Sequence, residues 1–150
     1  MLSGWGISRS GNKVNAVFDK ACWKALRQGL ILSKEKDFFW INPVPDHVDV
    51  RVPNIDEVDD KRNIEYIPLE EIMGAVRLIV GRAMSLSEAD LIQSVVRLFG
   101  YVRATKSMQD RIRIGIHACT DQKWLSQDQE GIHAVPDILV CEGGSPSAQQ

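Results

Sequence analysis

The chain has 150 residues, 44% hydrophobic and 25% charged, with a formal net charge of -2 and a pI near 5.9. These values exclude a low-hydrophobicity disordered chain and leave no global pull toward nucleic acid or membrane, so any such attraction must be a local patch. Cys22, Cys119 and Cys141 form no CxxC pair, and neither an apolar leader nor a bilayer-length apolar run is legible, so reduced thiols in a cytoplasmic setting without a membrane partner are expected.

The chain reads one stretch twice. Residues 5–30, opening Trp5-Gly6-Ile7-Ser8-Arg9, return without a gap from Phe99 onward. Gly6 meets Gly100, Arg9 meets Arg103 and Val14 meets Met108; Phe18, Cys22, Ala25 and Ile31 meet Ile112, Ile116, Cys119 and Leu125. A repeat of this kind sets the parsing of everything else. Leu2 and Trp5 fall on Val96 and Phe99, which end a predicted helix in the second copy. The first copy is therefore expected to lack its leading helices.

Ser10 is the expected N-cap of a helix over about 12–28. Val14, Phe18, Ala21, Cys22, Ala25 and Leu26 recur at helical spacing and predict its inward stripe. Gly29 sits where a left-handed C-cap residue belongs. Leu30–Leu32 and Phe38–Ile41 are strand-like runs joined by a charged loop holding Lys34 and Lys36. From Asn42 to Tyr66, Pro43, Pro45 and Pro53 exclude helix, Val48, Val50 and Val52 alternate as in an edge strand, and acids gather at Asp46, Asp49, Asp56, Glu57, Asp59 and Asp60. This stretch reads as a solvated connector, in preference to a divalent-ion site.

Pro68 as first helical residue, with Glu70 and Glu71 in the first turn, opens a helix to about Ala83. Ser87 and Asp90 resemble a capping box before Leu91, Ile92, Val95, Val96 and Phe99. Thr105 caps a third helix with Met108, Ile112, Ile116 and Cys119 inward, and Trp124–Leu125 and Ile132–Val135 flank a loop. The predicted fold is mainly α with small β wings: tandem winged-helix units, the first truncated at its N-terminus. The boundaries expected are 1–42 for the partial unit, 43–66 for the connector, 67–137 for the complete unit and 138–150 for a disordered tail.

No phosphate-loop, dinucleotide, HExxH or GxSxG motif occurs, and His47, His117 and His133 have no metal-ligand spacing to any cysteine. The expectation is a protein without catalytic activity, cofactor or metal. A helix lying in a DNA groove needs cationic or amide side chains along one side. The first copy offers Arg9, Asn12, Lys13, Lys20, Lys24 and Arg27, with Lys34 and Lys36 in its wing. The second offers Arg103, Lys106, Gln109, Arg111 and Arg113, while Asp128 and Glu130 make its wing repulsive. The competing reading is protein docking or homodimerisation through Leu2, Trp5, Phe18 and Trp23. Under the repeat Trp5 and Trp124 face the core, and packing of Trp23 on a partner is preferred over base stacking.

Trp5-Gly6, Arg9, Ser10-Gly11 and Ile67-Pro68-Leu69-Glu70-Glu71-Ile72 carry a resemblance. Over roughly residues 4–125 the chain resembles the C-terminal winged-helix-like domain, itself of unassigned function, of large bacterial superfamily-one helicase-like proteins. Those proteins often also carry a very-short-patch-repair-type nuclease domain. The resemblance implies a DNA-processing accessory module whose partners are duplex DNA and the remaining domains of a helicase-like parent. It carries over no functional residues.

Overall fold

A computed structural model describes residues 11–35, 38–44, 48–54 and 62–136. The fold is α+β, with four helices and two small antiparallel hairpins among the described residues. The chain divides into two compact units, 1–46 and 47–150. Residues 47–66, expected as connector, therefore group with the second unit.

In the first unit, α1 (Asn12–Arg27) leads to a hairpin of β1 (Ile31–Lys34) and β2 (Phe38–Ile41). The N-cap is Gly11, with no side-chain cap; Ser10, expected there, lies outside the described residues. Gly29 has φ +67, the left-handed stop expected of it. The expected inward stripe is a correction: α1 has no buried residue, and Val14 and Phe18 are 42% and 58% exposed. The spacing made the helix amphipathic, but a single helix and one hairpin supply too little surface to cover its apolar side.

In the second unit, a 3-10 turn (Ile64–Tyr66) precedes α2 (Leu69–Val80), α3 (Glu88–Leu98) and α4 (Lys106–Asp121), closed by β3 (Leu125–Asp128) and β4 (Gly131–Ala134). Pro68 is the N-cap of α2 and not its first residue, and α2 stops at Val80, short of Ala83. Ser87 caps α3 by accepting from the Asp90 amide, and Thr105 caps α4 by accepting from the Met108 amide. Ile72, Val76, Leu91, Val95 and Ile112 are fully buried where the three helices meet, each contributing about 1.5–3 kcal/mol of apolar transfer. Gly115 lets α4 approach α2 closely, since a Cβ there would stand 2.6 Å from Ile72 Cγ2. Between α2 and α3 the chain forms one β-bridge, Leu86 with Ile132 of β4. Helix, bridge, helix, helix, hairpin is an order compatible with a winged-helix-like class.

The expected edge strand over Val48–Val52 is also a correction, because residues 48–54 form no strand. They lie instead against α2, where Gly74 leaves room: a Cβ there would stand 3.2 Å from both Val48 O and Val50 Cγ2. The ligature is Glu71. Its side chain is wholly buried and takes the Arg51 amide at 2.9 Å, the Arg51 guanidinium at 2.6 Å and the Arg62 guanidinium at 2.6 and 3.0 Å. Arg62 also donates to Arg51 O at 3.1 Å, and Tyr101 donates its hydroxyl to Arg62 O. Burial alone pushes the Glu71 carboxyl upward, but the hydrogen bonds from Arg62 and Arg51 outweigh it and hold the pKa at about 2.

The helix and first strand of the two hairpin-bearing halves coincide at the shift that pairs Gly6 with Gly100. Asn12 and Arg27, the limits of α1, land on Lys106 and Asp121, the limits of α4. Ile31 and Lys34 land on Leu125 and Asp128. Left-handed Gly29 lands on Lys123, which has φ 60. The helix-ending bonds Gly29 N to Leu26 O and Leu30 N to Ala25 O recur as Lys123 N to Thr120 O and Trp124 N to Cys119 O.

Two outcomes are expected. Glu71 is depressed in the folded state, so its stabilisation is complete above the unfolded value of 4.5 and is lost as pH falls toward about 2. Urea titrations should show the wild type losing on the order of 3 kcal/mol more than Glu71→Gln across that window. Gly131→Ala should lower stability by about 1–3 kcal/mol, because Gly131 has φ +129 and a Cβ would meet Leu86 O at 2.7 Å.

Candidate nucleic-acid interface

The cations named from sequence separate into two groups. Arg113 donates to Glu88 at 2.8 Å and to Asp110 at 3.2 Å, so its charge is matched locally. Those carboxylates raise its pKa, the Glu88 hydrogen bond first. Arg111 is half-buried and donates to Ile67 O at 2.8 Å, tying α4 to the entry of α2. Both therefore hold the second unit together. Gln109 is half-buried, while Asn12, Lys34, Arg103 and Lys106 are exposed. Arg9 and Lys36 lie outside the described residues, as do Leu2 and Trp5.

Lys13, Lys20, Lys24 and Arg27 behave differently. All four are exposed, and none forms an ion pair among the described residues. At about 100° per residue they fall in one strip roughly 60° wide along α1. Asp19 is the only acid on this helix. The arrangement presents a row of flexible cations at the pitch of the helix, suited to a polyanion.

The repeat does not carry that strip over. At the shift that superposes α1 on α4, the positions of Lys13, Lys20, Lys24 and Arg27 hold Ser107, Ile114, Ala118 and Asp121. The α4 cations Lys106, Arg111 and Arg113 stand instead at the positions of Asn12, Val17 and Asp19. A single basic face shared by both helices is thus absent, and α1 carries the denser charge.

Trp23, 67% exposed, was grouped with Phe18 as a partner surface. The helix separates them. Trp23 borders the cationic strip and lines a shallow open concavity with Asp19, Lys20, Lys24, Arg27 and Gln28, whereas Phe18 lies on the apolar side. Sequence spacing contains this signal, since Trp23 stands about 40° from Arg27 and about 140° from Phe18 around the helix. Trp124 is half-buried against the second core and carries the Arg77 guanidinium 4.3 Å above its ring.

Cys119 is buried, its Sγ directed at Met73 O at 3.7 Å, and burial pushes its pKa up to about 12. That is an inert packed thiol. Among the described residues no group of three His, Cys, Asp or Glu side chains is placed to hold a metal ion, and no helix is long and apolar enough to cross a membrane. The acids Asp56, Glu57, Asp59 and Asp60 lie outside the described residues. Compared with models of protein families, with curated proteins and with solved structures, the chain has no match.

Alanine substitution should separate the two groups of cations. Arg111→Ala should lower the urea stability by about 1.5–3 kcal/mol, the range for a lost charged hydrogen bond. Lys20→Ala and Lys24→Ala should each stay within about 0.5 kcal/mol of the wild type.

Proposed function

We propose that this chain is a non-catalytic accessory module that contacts duplex DNA in the service of a helicase- or nuclease-type DNA-processing protein. The observation that carries the reading is the unpaired cationic strip of Lys13, Lys20, Lys24 and Arg27 on one side of α1. Phosphate contacts of this kind fix register and orientation without reading sequence, and they draw affinity from counterion release. Trp23, beside the strip, offers a flat apolar surface against a sugar or a frayed base. Arg103 and Lys106, exposed around the start of α4, supply a secondary contact. The order of elements in the second unit and the resemblance to helicase-associated domains support the same reading.

The net charge of -2 limits the contact to this local surface and predicts binding that is weak and strongly salt-dependent. A second role, docking of protein, is favoured by the exposed Val14 and Phe18. It does not compete for the same residues, since those lie on the other side of α1.

Fluorescence anisotropy with a random-sequence duplex at roughly 50 and 200 mM salt tests the proposal. The double reversal Lys20→Glu/Lys24→Glu should weaken binding at least about tenfold at low salt and flatten the salt slope by about two. Arg103→Glu/Lys106→Glu should produce a smaller loss. Wild-type affinity and slope in the first variant would remove the proposal, and reproducible ATPase or metal-dependent nuclease turnover would contradict the non-catalytic reading.

A further inference from the structure

The apolar side of α1 has a counterpart whose cover is visible. At the shift that superposes the two helices, Val14, Phe18, Ala21, Cys22 and Ala25 fall on Met108, Ile112, Gly115, Ile116 and Cys119. All five α4 residues are buried, and what buries them is α2 with α3. In α1 the first three are exposed and the other two half-buried. The pattern of small and large residues is kept: Ala21 stands where Gly115 admits the close approach of α2.

The hairpin repeats the same lack. Asn42 N donates to Leu30 O as Val135 N donates to Trp124 O, so the two hairpins have the same phase of hydrogen-bonded and open pairs. Ser33 corresponds to Gln127, and opposite them stand Phe39 and Ile132. Ile132 turns its backbone N–H and C=O outward, where Leu86 takes both, at 2.8 and 3.0 Å. Phe39 turns its backbone outward in the same way, and its side chain is 42% exposed where that of Ile132 is buried. Helix face and strand edge are thus open together, each where its counterpart is covered by one contiguous piece of chain.

We propose that the apolar face of α1, with the outward backbone of Phe39, is the acceptor for a helix–strand–helix protein segment of the chemistry of α2–Leu86–α3. That segment carries two aliphatic stripes, of Ile, Val and Leu type, and one extended residue between them to bridge β2. A second copy of this chain meeting α1 with its own α1 satisfies the apolar face but leaves the strand edge open, because it brings no such extended residue. Nucleic acid satisfies neither. The proposal goes beyond the DNA reading and is independent of it, since the cationic strip stays exposed on the opposite side when the apolar face is covered.

The test keeps the full chain and places a second copy of residues 67–94, carrying Glu71→Gln because Arg51 and Arg62 are not duplicated with it, directly ahead of Met1, which reproduces in the first half the spacing of the second. Cys22, the counterpart of buried Ile116, reports through its rate of maleimide labelling, mapped by mass spectrometry. Extension should slow labelling of Cys22 about tenfold or more and slow amide exchange across α1. Phe18→Asp in the extended chain should restore both rates, while exchange across α4 stays unchanged as a check that the second unit is folded. Unaltered Cys22 labelling and α1 exchange in the extended chain would overturn the proposal. So would a concentration-dependent dimer of the unextended chain that already protects Cys22, or protection of Cys22 by duplex DNA alone. Failure of duplex binding in the anisotropy experiment leaves these outcomes untouched.

Discussion

The buried carboxylate of Glu71 is the constraint on which the second unit depends. It lies in the first turn of α2 with its side chain fully buried. Removing a carboxylate from water costs several kcal/mol, and only well-aimed donors offset that. Arg51 and Arg62 supply them from outside the named helices and strands. Because Arg62 also donates to Arg51 O and receives Tyr101 through its carbonyl, one acidic group fixes two stretches of loop and the turn after α3. The Arg51 side chain is 64% exposed and that of Arg62 26%, so the two cations keep access to water while the carboxylate has none. The loop is ordered here by an ion cluster in place of the strand ladder its alternating valines suggest.

Once that loop is pinned, α2 and α3 bury one side of α4, and Leu86 completes the edge of the β3–β4 hairpin. The same local plan of helix, left-handed turn and hairpin occurs in the first unit, with matching limits for the helix and first strand, matching helix-ending bonds and a hairpin turn one residue longer. Local structure as far as that turn is therefore alike in both halves, and what differs most is the cover. A helix of this length holds its shape in water mainly through packing of its apolar face, so the exposed face of α1 is an energetic cost that the buried face of α4 does not carry.

The two sides of α1 differ in chemistry. One side carries cations that form no ion pair among the described residues. The other carries aliphatic and aromatic groups matched in position to a buried surface elsewhere in the same chain. On α4 two of the cations are consumed internally, Arg111 by the Ile67 carbonyl and Arg113 by Glu88 and Asp110. Counting basic residues along each helix does not distinguish these situations, since a paired guanidinium contributes little to the field felt by an approaching phosphate.

Sequence by itself determined the local grammar. The stripes of α2, α3 and α4, the caps at Ser87 and Thr105, the left-handed stop at Gly29, both hairpins and the pairing of Val14 through Ile31 with Met108 through Leu125 follow from periodicity and cap chemistry, which act over a few residues. Tertiary structure decided what is inside. An amphipathic pattern states that a helix has an apolar side, not that anything covers it, so α1 and α4 look alike in sequence and differ in burial. Glu71 read as a first-turn acid because Arg51 and Arg62 stand 20 and 9 positions away and no local rule connects them. Likewise, the pairing of Arg113 with Glu88 and of Arg111 with the Ile67 carbonyl depends on the packing of α4 against the elements before it. Long-range placement is what the chain's local propensities leave open, and there the candidate surfaces were chosen.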